Sequence, residues 1–171
     1  MNQVKFKKKN KACFLDRDGV INKDLGYLHK VKDFQWIKGA REAIKFLNKK
    51  KFKVIVITNQ SGVNRGFYSE EDVINLHLWI NQTLKKDEAY IDDFFYSTEM
   101  PNNKKNTRRK PSPKMIHEAF EKYNLDPEQC FLVGDKATDL EAAKNANIKG
   151  FLFEGKNLLV TIEKIIKVLK F

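Results

Sequence analysis

The sequence predicts an α/β fold built on a parallel sheet of about five strands with helices on both faces. Two observations carry this expectation. Short apolar runs alternate along the chain with segments of helical periodicity, and the runs lack the apolar/polar alternation of a sheet with one wet face. Polar residues also cluster just after the runs: Asp16 and Asp18 after the first, Thr58 and Asn59 after the second, Asp135 after the fourth. Open α/β sheets of the Rossmann-like kind bind ligands at the carboxyl ends of their strands, so these distant segments are expected to meet at one place.

Taken in order, the strands are read at Ala12 to Leu15, Val54 to Ile57, Phe94 to Tyr96, Cys130 to Val133 and Phe151 to Phe153. Ala40, Ala43, Ile44 and Leu47 recur on one helical face, as do Val73, Leu76, Ile80 and Leu84, the latter with Ser69 as N-cap. Ser112 followed by Pro113 starts a third helix whose face residues are Met115, Ile116, Ala119, Phe120 and Tyr123. A shorter fourth helix runs through Leu140 and Ala143. The last carries Ile162, Ile165, Ile166 and Leu169, which is a packing face rather than a membrane segment. The Asn- and Lys-rich tract from Met100 to Lys110 breaks the alternation and is expected to project beside the site.

At 171 residues the chain is expected to form a single domain over 1–171, with residues 1–11 as a basic N-terminal arm. No stretch approaches the roughly 20 apolar residues that span a bilayer, and no apolar run follows the early lysines. A cytoplasmic protein with no membrane partner is expected, and a monomer. Cys13 and Cys130 both lie inside apolar runs without ligand spacing, so they read as buried free thiols in a reducing compartment. The net charge of +11 favours anionic partners, although most of the lysines, including Lys5, Lys7, Lys8 and Lys9, read as solvated surface charge. No aromatic-rich platform accompanies them, so nucleic acid is not expected as a partner.

The chemistry concentrates first in Phe14-Leu15-Asp16-Arg17-Asp18-Gly19-Val20-Ile21-Asn22. Two carboxylates two residues apart at a strand end can face one pocket, and Gly19 permits the tight turn that follows. Asp16 is suited to attack phosphorus, and Asp18 to protonate the departing oxygen and then activate water. Neighbouring carboxylates repel, so such a site calls for a divalent cation. The same residues also make an ordinary strand-end turn with exposed acids, and this string alone leaves both readings open.

The string resembles the DxDG motif of the haloacid dehalogenase superfamily of phosphatases, and the superfamily's other motifs have counterparts in order. Ile57-Thr58-Asn59 resembles the second, Arg109-Lys110-Pro111 the third, and Val133-Gly134-Asp135-Lys136 with Asp139 the fourth. The resemblance implies that Asp16 is the nucleophile and Asp18 the acid and base. It implies that Thr58 and Lys110 bind the transferring phosphoryl group, and that Asp16, the backbone carbonyl of Asp18, and Asp135 hold Mg2+. It leaves open whether Asp139 meets the metal or orients Lys136.

The longer strings narrow the match. Thr58 to Gly66, Arg109 to Pro113 and Gly134 to Asp139, together with Asp24 to His29, resemble the D-glycero-D-manno-heptose 1,7-bisphosphate 7-phosphatase family and its histidinol-phosphatase relatives. By that resemblance Asp24, Leu25, Gly26, Tyr27, Thr58, Asn59, Gln60, Ser61, Arg109 and Lys136 would contact a sugar bisphosphate. Arg109 suits a phosphate because guanidinium pairs with it bidentately. The implied reaction is removal of the C7 phosphate through an aspartyl-phosphate, in nucleotide-activated heptose biosynthesis. The alternatives are a histidinol-phosphate phosphatase, a nucleic-acid 3'-phosphatase, and a non-catalytic phosphate-binding protein; the last would not need both Asp16 and Asp18.

One departure from the family pattern shapes the expectation. Many members carry a zinc loop of three cysteines and a histidine before the third motif. Ser97 to Pro101 and Asn106 to Arg108 offer no thiolate here, so no structural zinc is expected. The connections are also too short for a cap domain, which leaves an open site. His29 reads as an exposed loop residue, and His77 and His117 as helical residues without a functional role.

Overall fold

A computed structural model describes residues 9–101 and 107–171. The early lysines Lys5, Lys7 and Lys8, and Asn106 of the tract before Arg109, lie outside the described residues. Five strands, β1 (Asn10–Leu15), β2 (Lys53–Asn59), β3 (Asp93–Ser97), β4 (Leu125–Gly134) and β5 (Lys149–Leu152), form one sheet in the order β3-β2-β1-β4-β5. Every pairing is parallel. Helices α1 (Ala40–Lys49), α2 (Glu70–Lys85), α3 (Lys114–Tyr123), α4 (Ala137–Asn145) and α5 (Leu158–Leu169) link and flank the strands.

Alternate residues of each central strand feed opposite faces, the period of an extended chain. Cys13 and Leu15 of β1 pack with Ile44, Leu76 and Ile162, so α1, α2 and α5 cover one face. Ala12 and Phe14 pack with Met115, Ile116 and Ala143, so α3 and α4 cover the other. Burial on both sides accounts for runs without alternation. Cys13 and Cys130 are both buried free thiols.

The helical faces fall where periodicity places them. Ser69 caps α2 by accepting from the Asp72 amide, and Asp72 bonds back to the Ser69 amide. The third helix differs slightly: it starts at Lys114 with Pro113 in the cap position, and Ser112 Oγ accepts from the Lys114 amide without capping the helix. The strand ends also differ from the expectation, and β2 runs on through Thr58 and Asn59, which close the strand rather than follow it. β1 begins at Asn10, so Asn10 and Lys11 belong to the sheet and not to an arm. β4 begins at Leu125, and its ladder to β1 is irregular between Asn10 and Ala12, where the polar Asp126 to Gln129 interrupt the apolar pattern. β5 starts at Lys149 and is an edge strand with Leu152 49% exposed, so it is not covered on both sides. Phe153 still donates its amide to the Gly134 carbonyl at 2.7 Å.

The connection from β1 to α1 holds a single 3₁₀ turn, Val31–Asp33, and no inserted module occurs among the described residues. No helix among them is long and apolar enough to cross a membrane.

Candidate active site

β1, β2 and β4 end side by side, and their carboxyl ends open into one pocket of about 350 Å³. Asp16, the first residue past β1, is 5% exposed and its Oδ1 accepts from the Arg17 amide at 2.7 Å. Lys110 Nζ, itself buried, lies 2.9 Å from that Oδ1 and 2.6 Å from Asp139 Oδ1, and donates to the Ile57 carbonyl at 2.8 Å. Burial, reinforced by the charges of Asp139 and Asp18, raises the Asp16 pKa to about 7 against the opposing charge of Lys110. Burial works against the Lys110 charge, yet its two carboxylate partners hold its pKa above the usual lysine value.

Asp16, Asp135 and Asp139 each present a carboxylate oxygen within 4.8 Å of the others. Three carboxylates against one buried ammonium leave an excess of negative charge. Asp135 Oδ1 is buried without a hydrogen-bond partner, and burial pushes the Asp135 pKa up. An orphaned buried oxygen in an all-oxygen donor set fits a hard divalent cation. Two glycines make the cluster possible. A Cβ on Gly19, at φ +89°, would lie 2.1 Å from Asp135 Oδ2, and one on Gly134 would lie 2.2 Å from Asp139 Cβ.

Asp18 faces the pocket but its side chain does not join that cluster. Its carboxylate accepts from Arg17 Nη2 at 3.1 and 3.0 Å, from Asn22 Nδ2 at 2.9 Å and from Gln60 Nε2 at 2.8 Å. Thr58 is buried at the pocket floor and its Oγ1 also accepts from Gln60 Nε2, at 2.9 Å. Gln60 is thus spent on internal bonds, its Oε1 taking Arg17 Nη2 at 3.1 Å and the Tyr68 hydroxyl at 2.8 Å. Asn59 lines the pocket as well, but both ends of its amide clasp the backbone of Lys110, at 3.2 and 3.0 Å.

On the rim, Lys136 Nζ donates to Asp24 Oδ2 at 2.8 Å and comes to 4.0 Å from Asp135 Oδ2. That hydrogen bond lowers the Asp24 pKa. Gly26, Tyr27, Ser61 and Arg109 complete the part of the wall expected from the sequence. Leu25 does not join them: its side chain is 51% exposed and borders a separate surface depression. Arg109 Nη1 donates to the Glu99 carbonyl at 3.1 Å, and the Glu99 carboxylate gathers the Thr107 hydroxyl and the Arg108 amide. Arg108 pairs with Glu118 at 2.7 Å. An acid and a guanidinium therefore hold the segment in which the sequence offers no thiolate.

Sequence reasoning missed Tyr68 and Thr138, which also line the pocket, and Arg17, which is fully buried behind it. His29 is half-buried rather than exposed, with its ring stacked on Tyr68 at 4.8 Å.

Residues 4–147 match the family model described as haloacid dehalogenase-like hydrolase. The chain is 40% identical over 145 residues to D-glycero-beta-D-manno-heptose-1,7-bisphosphate 7-phosphatase of Haemophilus ducreyi, covering 81% of this chain and 80% of that protein. It is 40% identical over 146 residues to D-glycero-alpha-D-manno-heptose-1,7-bisphosphate 7-phosphatase of Photorhabdus laumondii, covering 82% and 80%. The crystal structure of D,D-heptose 1,7-bisphosphate phosphatase from B. bronchiseptica, complexed with magnesium and phosphate, superposes with a TM-score of 0.81 at 27% identity, over 92% of this chain and 99% of that one.

Proposed function

The chain belongs to the haloacid dehalogenase-like hydrolases, and from that premise we propose that it is a Mg2+-dependent phosphatase removing the C7 phosphate of a D-glycero-D-manno-heptose 1,7-bisphosphate. One observation carries the reading: the carboxylates of Asp16, Asp135 and Asp139 converge, the first and last of them paired with Lys110 and lining the pocket that Asp18 and Thr58 also face. The domain is taken as one unit over 1–171.

In this reading Asp16, Asp135 and the backbone carbonyl of Asp18 would hold Mg2+, with the Asp139 carboxylate in the same cluster. The bound ion supplies positive charge against the phosphoryl oxygens and the neighbouring carboxylates. A carboxylate oxygen of Asp16 attacks the C7 phosphorus while the P–O bond to C7 breaks, and Asp18, protonated before this step in place of one of the hydrogen bonds it accepts here, gives that proton to the departing alkoxide. Asp18, now ionised, takes a proton from water as that water attacks phosphorus; the bond to Asp16 breaks and inorganic phosphate leaves. Lys110, pinned between Asp16 and Asp139, and the Thr58 hydroxyl stabilise the equatorial oxygens through both steps.

The rim sets substrate choice. Arg109 and Lys136 supply cationic donors for the second phosphate, and Lys136 exchanges Asp24 for it. Arg109→Ala is therefore expected to raise KM about 10-fold with kcat within about threefold, as measured by steady-state phosphate release. Gly19→Ala is expected to destabilise the fold by about 1–2 kcal/mol through its backbone angle. It should also shrink the Mg2+-induced rise in Tm, because the new methyl displaces Asp135.

A substrate panel tests the function itself. Mg2+-dependent phosphate release is expected to be fastest with heptose 1,7-bisphosphate, run as separate α and β anomers. Histidinol phosphate or a 3'-phosphorylated oligonucleotide giving the higher kcat/KM would replace this reading.

A further inference from the structure

Arg17 stands between the two acids of the strand-end string, and none of its surface reaches solvent. A guanidinium only donates and stays charged, so burying it calls for acceptors around it. Four chain segments provide them. Besides Asp18 and Gln60, the Leu28 carbonyl receives Nη2 at 2.8 Å, and His77 Nε2 lies 3.2 Å from Nη1.

His77 reaches inward from α2, 6% exposed, and its ring stacks on Phe94 at 4.3 Å with 13° between planes. Because Arg17 has no lone pair to offer, Nε2 is the acceptor and the ring proton sits on Nδ1. Burial, aided by the Arg17 charge, pushes the His77 pKa well below its usual value, in keeping with a neutral ring.

We infer that Arg17 and His77 are positioning residues for Asp18: the ring fixes Nη1, and the guanidinium so oriented, together with Gln60, sets the direction of the Asp18 carboxylate. Arg17 Nε donates to Asp18 Oδ1 at 3.3 Å and Nη2 to Oδ2 at 3.0 Å, a fork that fixes the plane of the carboxylate as well as its place. The bond to the Leu28 carbonyl ties the same guanidinium to the loop that carries Asp24 and Tyr27. The inference rests on Asp18 acting as acid and base, but not on which alcohol leaves.

That distinction gives the test. A positioning role shows up only where the leaving group needs a proton. Heptose bisphosphate releases an alkoxide that must be protonated, whereas p-nitrophenyl phosphate releases a stable phenolate; kcat/KM for each reports the steps through departure of the leaving group. His77→Phe keeps an aromatic ring against Phe94 but removes the acceptor, and His77→Gln restores an acceptor close to the Nε2 position. His77→Phe is expected to lower kcat/KM about 10- to 100-fold on the alkyl ester and less than about threefold on the aryl ester. His77→Gln is expected to return the alkyl value to within about threefold of wild type.

Equal losses on the two esters, or a His77→Gln variant as slow as His77→Phe on the alkyl ester, would overturn the inference. Should His77→Phe show no cooperative thermal transition, Arg17→Lys takes its place, since it keeps the charge and loses the fork; an unselective loss there overturns the inference equally. If the wild type ignores heptose bisphosphate but hydrolyses histidinol phosphate, the substrate assignment fails while the alkyl-to-aryl comparison proceeds with the latter ester.

Discussion

Asp16→Asn is expected to abolish phosphate release, by at least about 10⁴-fold, while the protein stays folded and, in chelator, unfolds at a Tm no lower than wild type. The activity half follows from loss of the attacking oxygen. The stability half follows from the site's electrostatics. A carboxyl whose folded pKa is about 7 sits above its unfolded value, so the folded state holds the proton more tightly. Its ionised form therefore opposes folding, to an extent that grows as pH rises from the unfolded pKa and is complete above about 7. Asparagine removes that opposition and leaves Lys110 paired with Asp139. Thermal melts at pH 8 with and without Mg2+, beside a phosphate-release assay, check both halves. Residual turnover within about tenfold of wild type would remove Asp16 from the chemistry.

Lys110→Ala is expected to damage both properties. Its ammonium is enclosed by Asp16, Asp139 and the Ile57 carbonyl, and its removal leaves two buried carboxylates facing each other without compensation. Breaking a buried pair in this way costs about 3–5 kcal/mol, and loss of one charged donor to a phosphoryl group costs about 10² to 10³ in kcat. Mg2+ should raise the Tm of this variant more than that of wild type, because the ion then supplies charge the lysine no longer does. Denaturant unfolding with and without Mg2+ measures the first effect; a Tm shift equal to that of wild type would contradict the shared cluster.

Much of this arrangement was legible in the sequence because it depends on strand ends. Asp16, Thr58 and Asp135 follow apolar runs, and a parallel sheet delivers such ends to one edge whatever the loops do. What escaped was which polar atoms face the substrate and which face one another. Asn59 and Gln60 sit in the expected wall, yet their amides are consumed by Lys110, Asp18, Thr58, Arg17 and Tyr68. Spacing along one chain does not reveal a bond to a residue 51 or 42 positions away. Arg17 carried no assignment from the sequence, and its complete burial is accounted for only by acceptors from distant segments, among them Leu28, Gln60 and His77 of α2. A signal for His77 was present: it adjoins Leu76 on the helical face that carries Val73, Ile80 and Leu84, where a histidine needs a partner. Leu25 erred the other way, since membership of a contiguous string says nothing about which way one side chain of an exposed turn points.

The adjacency of β1 and β4 has one more consequence. Leu15 pairs with Val133, and the Asp16 amide donates to the Val133 carbonyl at 3.1 Å, so Asp16 and Asp135 leave neighbouring rungs of the same ladder. Each is the first residue past its strand, so the interval between their backbones starts from the interstrand spacing of about 4.8 Å. The sheet thus acts as a ruler for the paired acids. Warming or loop substitution would degrade ligand capture at the mouth well before it altered the gauge between those two side chains.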